Sequence, residues 1–296
     1  RFVKSANVNK QLPSAINYYQ KLSQYFRQSF YIEKPMLRLL RNNKELDACK
    51  KRFKDPEYHH YLNKIVPSPQ SLNAPFGILN QQQTGYLLTK PLLTALKDYF
   101  MSRHLYVNAE LHYDEINLSP YLQWKGYQPK QIIFCEGHYA SNNPWFSSLP
   151  FQLVKGEIIT ATSSTEIQQR ILNYGHWFIP LDKHLFRTGA SFDRDNINTS
   201  ISEDAKEVLL NSLTRVYPSL TINHIVDHQA GIRPATQDKM PFIGNHPEHP
   251  ELLIFNGFGA KGSLQIPWHC QCLAEHLINN QTISQSSNIN RYHSLF

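Results

Sequence analysis

The chain has 296 residues, of which 41% are hydrophobic and 18% are charged, and its formal net charge at pH 7 is +7. This composition is typical of a folded protein with an ample core and excludes an intrinsically disordered one. The sequence lacks the run of about eighteen apolar residues that a membrane span needs, and therefore predicts no membrane partner. It begins at Arg1 without an apolar signal-peptide core, which predicts a cytoplasmic protein with further sequence upstream.

Cysteine and histidine spacing indicates neither a disulfide framework nor a metal site. The four cysteines are Cys49, Cys135, Cys270 and Cys272. None belongs to a CxxC pair, and the spacing of the last two is poor for a disulfide or for zinc. Four scattered histidines, predicted to be surface or core residues, are His112, His138, His224 and His228. We therefore expect free thiols and no bound metal.

The first hundred residues predict mainly helices. Apolar residues recur at steps of three and four from Leu12 to Phe26, as on one face of an amphipathic helix. A short apolar run over Phe30–Leu40 predicts a strand, and the charged stretch Asn42–Phe53 predicts a second helix. A loop is expected over Pro67–Pro75. A third helix is expected to begin at Thr89 and to carry Leu92, Leu93, Leu96 and Phe100.

The remaining two thirds predict mainly strands. The predicted strands are Leu105–Tyr113, Gln131–Cys135, Leu153–Thr162, Trp177–Pro180, Leu185–Phe192 and Leu252–Phe255. Ser200 and Glu203 form a capping-box pattern before a helix that Pro218 ends, and a last helix is expected over Leu264–Ile278. Strands and helices that mix without strict alternation argue against a simple doubly wound sheet. They favour two interleaved α/β or α+β domains.

The segment Gly231–Gly262 carries the strongest functional signal. The buried strand Leu252–Phe255 leads into Gly257, Gly259 and Gly262, and a helix follows at once. Such a strand–turn–helix unit exposes backbone N–H groups and the positive end of a helix to an electron-rich ligand. Glycines let the backbone approach such a ligand without a Cβ clash. The structural alternative is an ordinary turn with a glycine cap.

Arg233 is the only arginine in this segment. It precedes Pro234, at the end of an apolar stretch, beside the glycine-rich turn. Its two-pronged guanidinium suits a carboxylate, which it can bind through two parallel hydrogen bonds. The alternative is a structural salt bridge, with Asp238 as a candidate partner.

Taken together, these residues form a pattern that resembles the signature of a known family. The pattern Gly-x-Arg-Pro-x-Thr-x-Asp-x-x-Pro-x-Ile-Gly over Gly231–Gly244, followed by Gly257-Phe258-Gly259-x-x-Gly262, resembles the C-terminal signature of the D-amino-acid oxidase and glycine oxidase superfamily. The resemblance implies that Arg233 holds the substrate carboxylate. It also implies that FAD is the cofactor and that the turn holds the flavin's pyrimidine edge. The residues implied at that edge are Gly257, Gly259, Ala260, Lys261 and Gly262.

The resemblance extends over most of the chain. Ile132–Gly137 resembles the strand ending in Ala-x-Gly that passes the flavin nucleotide, with Cys135 in place of alanine, which implies a cofactor contact at Gly137. Val154–Glu157 resembles the family's Lys-Gly-Glu strand. His176–Pro180 and Thr188–Ser191 resemble the hairpin that presents an aromatic residue to the substrate. That residue is Trp177 here, where tyrosine is common, and its alternative role is a core tryptophan.

The family's architecture implies a glutathione-reductase-like FAD domain interleaved with an antiparallel-sheet substrate domain. We assign residues 1–30, 104–150 and 221–296 to the FAD domain and 31–103 and 151–220 to the substrate domain. The sequence has a GxGxxG only at Gly257–Gly262 and none near its start, where this turn opens the family's proteins and seats the FAD pyrophosphate. We therefore expect a fold truncated at its N-terminus, and weak flavin retention by the chain alone.

The expected function is FAD-dependent oxidation of a small amino acid or secondary amine, with the cofactor supplying the chemistry. One alternative is a flavoenzyme that modifies the wobble uridine of tRNA, because Gly189–Phe192 and Gly257–Gly262 also resemble the FAD domain of such an enzyme. The basic net charge is consistent with that anionic partner. A second alternative is a non-catalytic flavin-fold remnant that acts as a binding partner. The sequence does not indicate the amine, the electron acceptor or the oligomeric state.

Overall fold

The computed structural model describes residues 7–296 of the chain. Residues 1–6, which the sequence analysis assigned to the FAD domain, lie outside the described residues. The helices are α1 Val8–Phe26, α2 Asn43–Phe53, α3 Thr89–Ser102, α4 Glu203–Val216 and α5 Gly262–Asn279. The early strands are β1 Tyr31–Glu33, β2 Met36–Leu39, β3 Leu62–Val66, β4 Ile78–Gln81, β5 Gly85–Leu87, β6 Ile116–Asn117, β7 Gln123–Trp124 and β8 Ile132–Phe134. The later strands are β9 Phe151–Ser163, β10 Ile171–Asn173, β11 Trp177–Pro180, β12 Leu185–Gly189, β13 Ile222–Thr236, β14 Phe242–Asn245 and β15 Leu252–Asn256.

The chain divides into two compact units. The first unit contains Tyr31–Leu88 and Lys155–Ile232, and the second contains residues 7–30, Thr89–Val154 and Arg233–Phe296. The ranges alternate along the sequence, so neither unit is a continuous stretch. The fold is mixed α/β with a large sheet, as the sequence analysis predicted.

An eight-stranded sheet, in the order β13-β9-β12-β11-β10-β2-β4-β3, dominates the first unit. Its neighbouring strands from β9 to β10 pair antiparallel, whereas β10 and β2 pair parallel. One face of this sheet forms a core with helix α4. There Phe178 and Phe186 stack with ring centroids 5.0 Å apart, against Leu209 and Leu213 of the helix.

The second unit is built on a three-stranded sheet in the order β14-β15-β8. All five residues of β15 are buried, which is the expected pattern for a strand covered on both faces. Leu252 and Ile254 pack with Phe134 on one side, while Leu253 and Phe255 pack with Leu273 of α5 on the other. The two predicted strands 131–135 and 252–255 therefore lie side by side in this sheet, which is separate from the eight-stranded one.

Three local predictions were wrong. Residues 105–112 form no regular element, because Leu105 and Val107 point largely into solvent and no strand pairs with them. The run Phe30–Leu40 forms two strands in different sheets, β1 against β5 and β2 between β10 and β4. The cap of α4 is Ser202, two residues after the expected Ser200 cap, and its hydroxyl accepts a hydrogen bond from the Ala205 N–H.

Among residues 7–296, no helix is long and apolar enough to cross a membrane. All four cysteines lie in this range as free thiols.

Candidate functional site

Two backbone turns lie at the same edge of the second unit's sheet. Strands β8 and β15 run parallel, with Ile132 opposite Leu252 and Phe134 opposite Ile254. Their carboxyl ends therefore meet at one edge, which is where open α/β sheets bind ligands. Gly137 follows the first strand and Gly257 follows the second. The structure thus brings together the two cofactor turns that the sequence analysis identified.

Asn256 joins these turns. Its side-chain Nδ2 donates to the Gly137 carbonyl at 2.8 Å, and its Oδ1 accepts from the Gly257 N–H at 2.8 Å. The side chain is 3% exposed, so both hydrogen bonds are shielded from water. The sequence analysis missed Asn256. The available signal was a polar residue at the end of an otherwise wholly apolar strand.

The glycines of these turns have backbone conformations that other residues avoid. The φ angle is +62° at Gly137, +80° at Gly257 and +51° at Gly259. A Cβ on Gly257 would lie 2.6 Å from Thr236 Cγ2, so this position has no room for a side chain. A Cβ on Gly137 would meet nothing within 4 Å, so open space borders that turn. The Gly137 turn therefore offers bare backbone beside open space, whereas the Gly257 turn is packed against strand β13.

The N-terminus of α5 adds hydrogen-bond donors to the same region. The helix begins at Gly262 after one 3-10 turn over Gly259–Lys261, and the Lys261 side chain does not cap it. Its first turn contains no acidic residue, so the helix dipole presents a positive end there. An electron-rich ring edge fits this environment. These residues therefore fit FAD, with Gly137, Gly257, Gly259, Ala260, Lys261 and Gly262 as the ones that would hold it.

Arg233 lies inside strand β13, which continues to Thr236. The sequence analysis had placed it at the end of an apolar stretch. Burial lowers the pKa of its guanidinium from the ordinary value. Asp238, the alternative salt-bridge partner suggested by the sequence, receives the Arg291 side chain with an Nε–Oδ2 distance of 2.7 Å. The carboxylate of Asp238 is therefore held by a different arginine.

The strand carrying Arg233 also packs on the glycine turn. Thr236 abuts the Cβ position of Gly257, and Ala235 lies 3.4 Å from the Cβ position of Gly259. Arg233 is thus only two residues from backbone that contacts the proposed flavin-binding turn. Within the second unit, this contact places Arg233 close in the chain to the residues predicted to hold the cofactor.

Trp177 lies in the first unit, on β11, opposite Gly189 of β12 and Asn173 of β10. Its neighbour Phe178 points into the core, so the alternating strand geometry directs Trp177 to the other face of the sheet. Trp177 is half-buried, whereas Phe178 is fully buried. It is therefore not a core tryptophan, and its role toward substrate stays a prediction.

The sequence analysis also missed a buried charged cluster in the first unit. Glu157, 2% exposed, accepts hydrogen bonds from the Ser202 N–H at 2.9 Å and the Ser202 hydroxyl at 2.8 Å. Lys155 Nζ lies 3.2 Å and His228 Nε2 lies 2.9 Å from its carboxylate oxygens. This cluster joins β9 to the N-terminus of α4. Among residues 7–296, no group of three or more His, Cys, Asp or Glu side chains could hold a metal ion.

Comparison with known proteins decides the family. The family described as FAD dependent oxidoreductase matches residues 15–276, which is most of the chain. The chain belongs to this family. Family membership places it among the FAD-dependent oxidoreductases and makes FAD the cofactor, in agreement with the turns described above.

Individual relatives of the family resemble the chain at low identity. Glycine oxidase from Pseudomonas aeruginosa is 28% identical over 157 residues, which are 52% of this chain and 43% of that protein. The tRNA 5-methylaminomethyl-2-thiouridine biosynthesis bifunctional protein from Legionella pneumophila (strain Philadelphia 1) is 23% identical over 286 residues, 84% of this chain and 42% of that protein. The chain thus spans less than half the length of these curated relatives.

A solved structure in the same family shows the same fold. Glycine oxidase from Geobacillus kaustophilus superposes with a TM-score of 0.78 at 18% identity, covering 93% of this chain and 79% of that one. At this identity the likeness concerns the fold alone.

Proposed function

We propose that the protein oxidises the C–N bond of a small amino acid or secondary amine that carries a carboxylate. The observation that carries this proposal is the position of Arg233, a half-buried guanidinium on the strand whose next residues pack against the glycine turn. A fixed arginine can hold both the distance and the plane of a carboxylate through paired hydrogen bonds.

Bound FAD would supply the acceptor for the hydride that leaves the carbon next to the amine nitrogen. The nitrogen loses a proton in the same oxidation, and water then adds to the resulting imine. The imine carbon leaves as a carbonyl compound and the nitrogen leaves as an amine or, from a primary amino acid, as ammonia, so the C–N bond is broken. The protein's part is to hold the substrate carboxylate, for which we assign Arg233, and to present an aromatic wall, for which we assign Trp177.

The proposal is tested by product analysis with the FAD-loaded protein. N-substituted glycines and D-amino acids are supplied one at a time, and carbonyl product and released amine are quantified together. We expect equal amounts of both products, and no turnover of the matched amines that lack a carboxylate. Equal turnover of amines with and without a carboxylate would leave the oxidation intact and contradict the assigned substrate class.

A second candidate is oxidation of the side chain of a modified tRNA uridine. Two observations favour it, namely the match over 286 residues to a tRNA-modifying relative and the net charge of +7. Its test is binding of tRNA at two salt concentrations, because each phosphate contact releases counterions and makes affinity fall steeply with salt. A salt-dependent affinity for tRNA supports this candidate. Absence of tRNA binding, with turnover of free amines that ignores salt, contradicts it.

A further inference from the structure

A second arginine lies on the open face of the first unit's sheet. Arg187 of β12 is paired with Thr160 of β9 on one side and with Ile179 of β11 on the other. Trp177 is paired with Gly189, two residues further along the same strand. Because residues i and i+2 of a strand share a face, Arg187 and Trp177 are diagonal neighbours on one surface. Phe186, the residue before Arg187, points to the other face of the sheet, where it belongs to the core.

Arg187 has one hydrogen-bond partner within the described part of the chain. Its Nε donates to Thr160 Oγ1 at 3.0 Å, and among residues 7–296 no carboxylate pairs with it. Arg38, on the same face, differs in this respect. It reaches both the Glu45 carboxylate at 3.1 Å and the Asn173 side chain at 3.1 Å. Neither terminal nitrogen of Arg187 donates a hydrogen bond to a described residue. A half-buried arginine in this state can bind an anion through both of these nitrogens.

The neighbours of Arg187 complete a site for an oxyanion. The Thr160 hydroxyl accepts a hydrogen bond from Nε, so its own hydrogen is available for donation. Gly189 makes room for the Trp177 ring, since a Cβ there would lie 3.2 Å from Trp177 Cζ2. A hydroxyl group, a guanidinium and an indole therefore share this face of the sheet.

We propose that Arg187, with Thr160, binds a carboxylate anion on this sheet face. The planar fork of arginine matches a carboxylate with two parallel hydrogen bonds, and the Thr160 hydroxyl can donate to a remaining lone pair. The inference goes beyond the proposed function, which assigns the substrate carboxylate to Arg233. The site itself rests on the contacts of the first unit.

The direct test is chemical protection of Arg187 in the FAD-loaded wild-type protein. Phenylglyoxal modifies accessible guanidinium groups, and mass spectrometry reports the modified fraction of each arginine. We expect iminodiacetate and malonate to protect Arg187 while exposed Arg170 stays equally reactive. Protection by inorganic phosphate but not by carboxylates would overturn the ligand class. Modification of Arg187 that no anion changes would overturn the site.

Substitution gives a second measurement. Arg187→Met should weaken dicarboxylate binding in calorimetric titration by about 10- to 100-fold, the loss expected for a charged hydrogen-bonded pair. Arg187→Lys should restore part of it, because the charge returns without the fork. Arg170→Met makes the same change in net charge on an exposed residue of the same unit and should leave binding unchanged. Equal affinity in Arg187→Met and wild type would contradict the site.

The two proposals fail in different ways. If carboxylates protect Arg187 but no amine is oxidised, the site stands and the proposed function fails. If carboxylate-bearing amines are oxidised while Arg187 is neither protected nor required for binding, the proposed function stands and this inference fails.

Discussion

At the scale of single residues, Gly137 and Gly257 have similar backbones but opposite surroundings. Both have positive φ angles, +62° and +80°. The Cβ position of Gly137 is open, whereas that of Gly257 lies 2.6 Å from Thr236 Cγ2 and 3.1 Å from the Phe242 backbone nitrogen. The requirement for glycine is therefore conformational at the first position and both conformational and steric at the second.

This difference predicts unequal costs for the same substitution. Gly137→Ala should lower the free energy of unfolding by about 1–2 kcal/mol, the cost of a left-handed backbone for alanine. Gly257→Ala should lower it by about 2–5 kcal/mol, because overpacking adds about 1–3 kcal/mol to that cost. Urea unfolding of both variants beside wild type measures the difference. Equal losses for the two variants would show that the crowding at Gly257 has no energetic consequence.

Arg233 gives the sharpest prediction about substrate binding. Arg233→Lys keeps the charge but removes the fork, and Arg233→Ala removes both, so each should weaken the binding of a carboxylate-bearing substrate. The expected loss is about 2–5 kcal/mol in apparent affinity, as for one partner removed from a charged hydrogen-bonded pair. Flavin content should not change. Exposed Arg215→Lys is the control, and wild-type affinity in both Arg233 variants would make this arginine a structural residue.

Sequence patterns indicated the glycines and Arg233 because those residue types are unusual in their places. They did not indicate Asn256, Arg187 or Glu157. The importance of these side chains depends on which atoms from distant parts of the chain surround them. Asn256 bonds Gly137, 119 positions away, and Arg187 bonds a residue 27 positions away. Periodicity in one sequence contains no information about such pairings.

At the scale of elements, Glu157 connects strand β9 to helix α4. Burial raises the pKa of its carboxyl, but hydrogen bonds from Ser202 and Lys155 outweigh that effect and hold the pKa below its ordinary value. An ionised Glu157 therefore stabilises the fold above the ordinary glutamate pKa of about 4.3. This stabilisation is lost as the pH falls through the lowered value.

Glu157→Gln should lower the free energy of unfolding at neutral pH by about 3–5 kcal/mol, because Lys155 would stay buried without its charged partner. It should also flatten the acid side of the stability curve. Denaturant unfolding between neutral and acidic pH measures both effects. Glu166→Gln is the matched control, since its partner Lys183 is 3.6 Å away and both side chains are more than half exposed, so the loss should be below about 1 kcal/mol. If the free energy of unfolding changed with pH in the same way in wild type and in Glu157→Gln, this role of Glu157 would be contradicted.

The elements themselves were largely predictable where a single pattern dominated. The amphipathic helices α1 and α4, and the strand β15 with its apolar run Leu252–Phe255, follow from residue spacing. The segment 105–112 shows the limit of such reasoning. It begins with the apolar residues Leu105, Tyr106 and Val107, yet no strand of the described residues pairs with it, and Leu105 is 68% exposed. Strand formation depends on a partner as much as on propensity.

At the scale of the whole molecule, the two units take alternating stretches of the chain. A mixed α/β fold was predictable from the order of elements, and family resemblance supplied the expected interleaving. The order β13-β9-β12-β11-β10-β2-β4-β3 was not predictable, because it joins strands that are far apart in sequence. The assignment of one unit to cofactor and the other to substrate stays a prediction.

The central claim is that the protein uses FAD to oxidise an amine recognised through its carboxylate. The most direct measurement is the visible absorbance of protein-bound FAD, followed without oxygen after addition of an N-substituted glycine or of the matched amine that lacks the carboxylate. The account predicts that the N-substituted glycine reduces the flavin and lowers its visible absorbance, and that the matched amine does not. Arg233→Ala should abolish this difference. A flavin that both compounds reduce equally, or that neither reduces, would contradict it.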